Sequence, residues 1–396
     1  MKKIPELVAP AGGVEALRAA VECGADAVYL GGVQFGARHF ASNFTLRELK
    51  RAARYTHSRD ARLFITVNTL VKDSEITGLI EYLDFLRSIE VDAVVVQDLG
   101  VLRLIRERFP DLRVHASTQM NVHNSEGVRF LAGHGVSRVV LGRELSLEQI
   151  KSIQNKNDCE LEVFVHGALC YSYSGACLFS SMISGRSANR GRCVQACRLK
   201  FTLENDGAED VSAGHLLSLK DLCSAETLPE LAGAGVAALK IEGRMKRPEY
   251  VAIVVRIYRR LLDRIREDNF YITWEEQKDL LQIFNRSFTQ GYLKGERSGM
   301  VNPASCDNRG LEIGRVTRAF ESGVEVKLSA ALSAGDGIEI TVGDRTVGRQ
   351  IEKGAGRGAV LSVKIRGATE VPIGSAVYRT NDALLIKRAK KSYERR

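Results

Sequence analysis

Short apolar runs alternate with amphipathic stretches along the first two-thirds of the chain. The runs are rich in valine, isoleucine and leucine, which is typical of parallel strands covered on both faces. Eight runs are predicted as strands: ELVAP (6–10), DAVYLGG (26–32), LFITVN (63–68), DAVVVQD (92–98), RVHAST (113–118), RVVLGRE (138–144), LEVFVHG (161–167) and AALKIEGR (237–244). The stretches between them place apolar residues at helical spacing, and the last run is followed by a strongly amphipathic stretch at 247–267.

The repeated strand–helix order predicts an α/β fold, specifically a (β/α)8 TIM-like barrel. A doubly wound open sheet is the alternative, but the regular spacing and the number of units favour the barrel. The seventh connection is a long insertion at 168–236. Because the loops that follow barrel strands emerge at the face where active sites lie, we expect this insertion to lie at the functional site. The barrel with its insertion is assigned to residues 1–270.

The pattern changes after the barrel. Residues 271–307 are predicted to form a helical connector. From residue 308 onward, short alternating segments are separated by Gly, Asp and Ser, which predicts a small β-barrel domain at 308–396. This domain ends in the basic tail KRAKKSYERR (387–396).

Composition limits the class of protein. The chain has 396 residues, of which 44% are apolar and 27% charged, as in an ordinary globular protein. It has no apolar stretch near the ~20 residues that span a bilayer and no signal-peptide pattern, so we expect a cytoplasmic protein with no membrane partner. The net charge is +9, with basic residues concentrated at 186–200 and in the tail. This charge is compatible with RNA as a partner, and equally with a solvated surface.

Polar residues follow several of the predicted strands, where they would ring the barrel mouth. They are Asn68, Asp98, Ser117, Gln119, Arg143, Glu144, His166, Lys240, Glu242 and Arg244. The set predicts a polar pocket for a small anionic ligand, in which Arg143, Lys240 and Arg244 hold carboxylates. For any single member, a structural ion pair is the alternative.

Half of the eight cysteines fall in one polar, glycine-rich segment of the insertion. Cys170, Cys177, Cys193 and Cys197 have the spacing C-x6-C-x15-C-x3-C, which matches neither a zinc ribbon nor a ferredoxin. Thiols in the cytoplasm stay reduced, so a cluster of them indicates a metal site. Four thiolates from one loop can hold zinc or a cubane iron–sulfur cluster, and the spacing does not separate the two. Cys223, in the same insertion, is the alternative fourth ligand.

The cysteine segment also carries a resemblance. EVFVHGALCYSYSGACLFSS, continued by NRGRCVQACR, resembles the signature of peptidase family U32, whose members are often described as collagenase-like proteases. ELVAPAG, STQMNVHN and LKIEGRMKRPEYV are similar to the same family, and NRGLEIGRV resembles its trailing β-barrel. The arrangement of these segments along the chain is similar to that in members of the family that hydroxylate RNA.

The resemblance implies an activity and a cofactor. RNA-hydroxylating members add a hydroxyl group to carbon 5 of a pyrimidine in tRNA or 23S rRNA without molecular oxygen. They draw on prephenate, and a four-cysteine 4Fe-4S cluster is associated with the reaction. Carried over by motif, the cluster ligands are Cys170, Cys177, Cys193 and Cys197, of which Cys197 is the least secure.

We assign roles to the remaining candidates from their positions at the polar ends of the predicted strands. Catalytic roles fall to His166, Lys240, Glu242 and Arg244, and roles in binding the small co-substrate fall to Asn68, Gln119 and Arg143. The sequence does not decide between tRNA and rRNA, and it does not indicate an oligomeric state.

Two alternatives from other classes stay open. The family name suggests a peptidase, and His166 lies four residues before Cys170, so a Cys–His pair is conceivable. The chain has no H-E-x-x-H or G-x-S-x-G motif, however, and one metal site explains four clustered thiols better than one nucleophile does. The second alternative is a zinc-stabilised RNA-binding protein without catalysis, against which the polar barrel mouth argues.

Overall fold

The structure, a computed structural model, describes residues 4–38, 40–204, 212–296, 298–342 and 345–394. These residues form two compact units. The first comprises Met1–Ile272 and Phe288–Cys306, and the second comprises Thr273–Ser287 and Asp307–Arg396. The predicted connector 271–307 is therefore divided between the two units.

The first unit contains the predicted barrel. Its strands are β1 Glu6–Pro10, β2 Ala27–Leu30, β3 Arg62–Val67, β4 Ala93–Val96, β5 Val114–Ala116, β6 Arg138–Val140, β7 Glu160–Ala168, β8 Phe201–Leu203, β9 Ser212–Gly214, β10 Asp221–Cys223, β11 Ala238–Ile241 and β12 Phe288–Thr289. Strands β1–β7 pair in parallel with their neighbours in chain order, and β11 pairs with both β7 and β1. This double pairing closes an eight-stranded parallel barrel, which confirms the predicted fold.

Helices surround the barrel, except α7, which lies in the insertion. The helices of this unit are α1 Val14–Glu22, α2 Leu46–His57, α3 Ile76–Ser88, α4 Leu99–Arg108, α5 Ser125–Gly133, α6 Leu147–Gln154, α7 Phe179–Ser184, α8 Leu228–Gly233 and α9 Pro248–Arg266. Capping side chains fix where several of them begin: Thr45 and Glu48 form a capping box on α2, and Asp98 accepts from Gly100 N and Val101 N at the start of α4. The predicted mouth residue Asp98 thus serves as a helix cap.

The insertion lies between β7 and β11. In it, β8 pairs antiparallel with β9, and the chain between them at 205–211 lies outside the described residues. Strand β10 pairs antiparallel with the end of β7, with Leu222 opposite Gly167 and Cys223 opposite His166. This pairing returns the insertion to the barrel wall. Among the described residues, no helix is long and apolar enough to cross a lipid bilayer.

The second unit is a curled antiparallel sheet with two helices, α10 Trp274–Gln282 and α11 Ala383–Glu394. Its six strands are β13 Leu311–Phe320, β14 Gly323–Leu328, β15 Gly337–Val342, β16 Arg345–Gln350, β17 Val360–Lys364 and β18 Ala376–Asn381. They pair in the order β16-β15-β18-β13-β14-β17, so the outer strands β16 and β17 leave the predicted small barrel half-closed. The basic tail forms most of α11.

Candidate functional site

A balanced network of charges, buried at its centre, lies in the barrel below its mouth. Arg138 is 2% exposed and donates to Glu6 Oε2 at 2.6 Å and to Glu162 Oε2 at 3.2 Å. Lys240 Nζ lies 2.6 Å from the other oxygen of Glu162. The network joins three cations to three carboxylates: Arg62, Arg138 and Lys240 with Glu6, Glu160 and Glu162.

This pairing determines the ionisation of the fully buried Glu162. Burial alone would raise the pKa of this carboxyl group, but the charges of Lys240 and Arg138 lower it to about 2. Lys240 also lies 4.1 Å from the ring centroid of Tyr29. The sequence placed Lys240 at the mouth, whereas the structure holds it one layer deeper, where its ammonium group is engaged by Glu162.

At the mouth itself, one carboxylate lies among three guanidinium groups. Glu242 Oε1 is 3.3 Å from Arg38 Nη2, and Glu242 Oε2 is 3.4 Å from the Tyr29 hydroxyl. Burial acts to raise the pKa of Glu242, but Arg38, Arg143 and Arg244 hold it below its ordinary value. Glu242 is therefore ionised at neutral pH.

Arg244 is the most deeply buried of these three cations. It is 3% exposed, donates to Thr66 Oγ1 at 3.0 Å and to Asn43 Oδ1 at 2.7 Å, and its buried Nε has no hydrogen-bond partner. Burial, and then repulsion by Arg38, lower the pKa of Arg244 to about 10. A Cβ atom on Gly31 would overlap Arg244 Nη2, which explains why the chain has glycine there.

The mouth and the network below it differ in charge balance. The deep network pairs three cations with three carboxylates, whereas the groups around Glu242 are three cations and one carboxylate. A buried excess of positive charge without a counter-ion is unfavourable. The mouth is therefore suited to an anionic ligand, which would offset that excess.

Asn68 and Gln119 meet at the rim of the mouth, as their positions after two strands predict. Asn68 Nδ2 donates to Gln119 Oε1 at 2.9 Å, and Asn68 Oδ1 accepts from Ala37 N at 3.1 Å. These bonds join the loops after β2, β3 and β5. Beside them, Gln97 is 7% exposed and its Oε1 has no partner, a further polar group that the sequence did not single out.

Arg143 contacts the cysteine loop. Its Nη1 donates to the carbonyl oxygen of Ala168 at 2.8 Å, and its Nη2 donates to Ser174 Oγ at 3.1 Å. The guanidinium also lies 4.9 Å from the ring centroid of Phe164. We expected Arg143 to hold the co-substrate, but its terminal nitrogens are engaged in fixing the segment that carries Cys170.

His166 lies outside the barrel. A β-bulge shifts the register between β7 and β11, so that His166 comes opposite Ile241 and its ring points away from the barrel axis. The ring packs against Tyr250, Tyr258 and Phe288, with Nδ1 3.2 Å from the Tyr258 hydroxyl. Burial lowers the pKa of His166 to about 3. We predicted a catalytic role for His166 at the mouth, and the observed position of its ring contradicts that prediction.

The four cysteines of the insertion are brought together around Cys197. Burial raises the pKa of Cys197, and the charges of Cys170, Cys193 and Cys177 raise it further. Electrostatic coupling of this kind requires that the three sulfurs lie close to the fourth. The nearby Arg198 acts in the opposite direction and lowers the pKa.

Two arginines that the sequence did not single out tie this group to the barrel. Arg198 donates to the carbonyl oxygens of Leu169 and Leu219, which joins the segments on either side of the cysteines. Arg38 interacts first with Glu242 and also with Cys193, and both raise its pKa. In the sequence, Arg198 stood out only as a member of the basic segment 186–200, and Arg38 had no signal beyond its place in a loop.

Cys223 lies elsewhere. Burial raises its pKa to about 11, and its thiol hydrogen-bonds with Tyr258, in the layer that also contains His166. Cys223 is not among the groups that act on Cys197. Of the two candidates for a fourth ligand, Cys197 is thus the one that lies near Cys170, Cys177 and Cys193.

The spacing of the thiols bears on what they can hold. Zn–S bonds of about 2.3 Å bring tetrahedral sulfurs to within ~3.8 Å of one another. Among the described residues, no three Cys, His, Asp or Glu side chains are arranged to hold a single metal ion. The described side chains thus form no preformed site for a single metal ion.

Two glycines let the cysteine loop lie directly on the mouth. Gly175 has φ +80°, and a Cβ there would overlap the carbonyl oxygen of Gln119. Gly191 also has φ +80°, and its Cβ would lie 2.7 Å from the carbonyl oxygen of Gly36. The loop therefore contacts the mouth through backbone, at positions that only glycine accommodates.

Comparison with known proteins agrees with this arrangement. The family model of peptidase family U32 matches residues 12–302, which include the barrel from α1 onward, the mouth residues and all four cysteines. This chain belongs to peptidase family U32. The match to family U32 covers the whole of the first unit except its first residues and its last few.

Three curated relatives are similar over most of this chain. A 23S rRNA 5-hydroxycytidine synthase of Escherichia coli is 38% identical over 87% of this chain, but the chain spans only 53% of that relative. An uncharacterized protease of Methanocaldococcus jannaschii is 39% identical over 86% of this chain and 87% of the relative. A tRNA hydroxylation protein of Bacillus subtilis is 38% identical over 74% of this chain and 72% of the relative.

Proposed function

We propose that this protein is an RNA hydroxylase. It adds a hydroxyl group to carbon 5 of a pyrimidine in tRNA or 23S rRNA, without molecular oxygen, with prephenate as the hydroxyl donor and a 4Fe-4S cluster on its cysteines. Family membership supports this proposal, as do the RNA-hydroxylation names of two of the relatives. The observation that carries it is the electrostatic coupling of Cys170, Cys177 and Cys193 to Cys197, beside a mouth with excess positive charge.

The cluster would be held by Cys170, Cys177, Cys193 and Cys197. Arg198 favours the thiolate form of Cys197, and Arg38 interacts with Cys193. When bound, a cluster of this kind supplies a Lewis acid or an electron relay. Arg143 keeps the loop in place through its bonds to Ala168 and Ser174.

The mouth residues would bind the small acid. Prephenate is a dicarboxylate, and the two excess positive charges around Glu242 match its charge. The unpartnered Nε of Arg244 and the one-third-exposed side chain of Arg38 are donors available to it. Lys240 acts as a positioning residue, because its ammonium group lies against the ring of Tyr29, whose hydroxyl contacts Glu242.

Glu242 orients the reacting groups in this proposal. Its lowered pKa keeps it ionised at neutral pH, so that its carboxylate can accept a hydrogen bond from the reacting pyrimidine. The target base must already be unpaired, or be flipped out of its stack, to bring carbon 5 into the mouth.

The structure gives less support to a peptidase. A cysteine protease needs a histidine beside its nucleophilic thiol. Within the described chain, no hydrogen bond joins the His166 ring to a cysteine, and that ring faces Tyr258 instead. The low pKa of His166 also makes it a weak base at neutral pH.

Nucleoside mass spectrometry tests the proposal. tRNA and 23S rRNA are isolated from a strain that lacks the gene, with and without complementation, after aerobic and anaerobic growth. We expect 5-hydroxyuridine or 5-hydroxycytidine to disappear on deletion and to return with the wild-type gene under both conditions. The same strain blocked in prephenate synthesis should lack the product. Unchanged nucleosides in both RNA pools would contradict the proposal, and gelatin cleavage by the metal-free protein would favour the peptidase.

A further inference from the structure

A second cavity, of about 670 Å³, opens at the C-terminal face of the barrel. Three segments line it: residues 33–36 after β2, residues 69–78 after β3, and residues 185–192 of the insertion. Gly36 forms part of its wall, and a Cβ on Gly36 would lie 3.8 Å from Arg244 Nη2. The cavity is therefore a neighbour of the mouth, separated from it by one residue.

One wall of the cavity is fixed by an ion pair. Arg190 Nη2 and Nη1 lie 2.6 Å and 3.0 Å from the two oxygens of Glu75, and Nη1 also donates to the carbonyl oxygen of Leu70 at 2.6 Å. Hydrogen bonds from Arg190 lower the pKa of Glu75 to about 2, so this carboxylate is ionised and its charge is matched. Arg190 thus shapes the wall, and its two terminal nitrogens are already engaged in hydrogen bonds within the protein.

The other cations of the cavity are not matched in this way. Lys72, Arg186 and Arg192 are exposed, and Glu75 is the one carboxylate of the lining. In the described parts of the chain, no ion pair or side-chain hydrogen bond engages Arg186 or Arg192. Backbone bonds from Arg190 N and Arg192 N to Ser187 O hold the segment that presents them. The result is an ordered loop with solvated, unpaired positive charges.

We propose that this cavity binds one nucleotide of the RNA strand beside the target base, with its phosphate between Arg186 and Arg192. The inference rests on the proposed function and assigns a place to the RNA strand within it. Exposed guanidinium groups suit a solvated phosphodiester, and the half-buried Phe35 offers an apolar face for the base.

In this arrangement, the two anions of the proposed reaction bind at different depths: prephenate binds in the mouth, and the RNA phosphate binds at the exposed cavity. At the mouth, Arg244 is buried and its Nε has no partner, which suits a small acid bound within the barrel opening. The second cavity has exposed arginines on an open surface, which suits a strand that passes over it. Since Arg192 precedes Cys193, the nucleotide would lie beside both the cysteine loop and the mouth.

The double substitution Arg186→Gln with Arg192→Gln tests this assignment, with Arg108→Gln as the matched control. Arg108 is an exposed arginine in the last turn of α4, at the opposite end of the barrel. Affinity for a single-stranded oligouridine is measured between about 50 and 200 mM salt. Each phosphate contact on a single strand contributes about 0.7 to the slope of log K against log salt. We expect the double variant to lose about 1.4 of the slope and roughly tenfold in affinity.

Three outcomes separate the possibilities. If the double variant keeps the slope of wild type and of Arg108→Gln, the cavity does not bind RNA. If its affinity for prephenate falls while oligouridine binding is unchanged, the cavity belongs to the small acid and the inference is overturned. If oligouridine binding falls as expected but wild-type protein forms no hydroxylated nucleoside, the RNA site stands and the hydroxylase proposal fails.

Discussion

Replacing Glu162 by Gln should destabilise the barrel more than any substitution at its surface. Glu162 is fully buried and contacts Lys240 at 2.6 Å and Arg138 at 3.2 Å. The amide keeps the shape of the side chain but removes its charge. The network would then have three cations and two carboxylates, and the buried ammonium group of Lys240 would lose its ion pair.

The structure gives the size of this effect in two ways. Removing one partner of a buried ion pair costs about 3–5 kcal/mol. Independently, a pKa lowered from 4.5 to about 2 corresponds to about 3 kcal/mol of favourable interaction with the ionised form of Glu162. We therefore expect the Glu162→Gln variant to lose about 3 kcal/mol of unfolding free energy at neutral pH.

The effect should depend on pH in a defined direction. Because the pKa of Glu162 is lowered on folding, its contribution is fully present above about pH 4.5 and is lost as the pH falls toward 2. The difference in unfolding free energy between wild type and the variant should therefore be constant from pH 7 to about pH 5 and shrink below that. Urea unfolding followed by far-UV circular dichroism at several pH values measures it.

A second variant tests whether the unmatched charge causes the loss of stability. Combining Glu162→Gln with Lys240→Met leaves two cations and two carboxylates in the network, so the balance is restored. We expect the double variant to be more stable than Glu162→Gln alone by about 2 kcal/mol, because the unmatched charge has been removed. If the losses in unfolding free energy from the two substitutions are additive, the balance of charges does not stabilise the barrel interior.

Three further predictions concern the site. Cys170→Ser should abolish bound iron and sulfide after anaerobic purification, whereas Cys223→Ser should retain both, because the Cys223 thiol contacts Tyr258 and not the other cysteines. Arg143→Lys should lower the iron content with all four thiols intact, since lysine does not reproduce the two bonds to the cysteine loop, and full occupancy would contradict this role. Arg244→Lys should raise the KM for prephenate at least ~10-fold through loss of a charged hydrogen bond worth about 1.5–3 kcal/mol, and an unchanged KM in a turnover assay would place the small acid elsewhere.

Most of the fold could be predicted because parallel strands buried on both faces appear in sequence as continuous apolar runs. LEVFVHG, for example, was predicted at 161–167 and is observed as Glu160–Ala168. Two elements of the second unit lacked this signal. Strand β16, RTVGRQ, is an edge strand with mostly exposed residues and shows no apolar alternation. In α11, the lysines and arginines obscured the buried stripe of Leu385, Ala389 and Tyr393.

The site was predicted less completely, for geometric reasons. The rule that strand ends meet at the barrel mouth brought Asn68, Gln119, Glu242 and Arg244 to the same place. It misplaced His166, because the bulge in β7 that turns this side chain outward leaves no mark in the sequence. Arg38 was missed because an isolated arginine in a loop has no periodicity, and its contact with Glu242 joins residues more than two hundred positions apart.

The depth at which the charges lie decides how each group will respond to salt. Ions screen exposed charges beyond a Debye length of about 8–10 Å, whereas buried pairs are screened much less. The pairs of Glu162 with Arg138 and Lys240 are buried, and so is Arg244 at the mouth, whereas Arg186 and Arg192 are exposed. Raising the ionic strength should therefore weaken oligouridine binding steeply, weaken prephenate binding only slightly, and leave the unfolding free energy of the barrel nearly unchanged. Equal salt sensitivity of the two ligands would mean that both bind at the exposed cavity, and the separation of the two anions by depth would then be wrong.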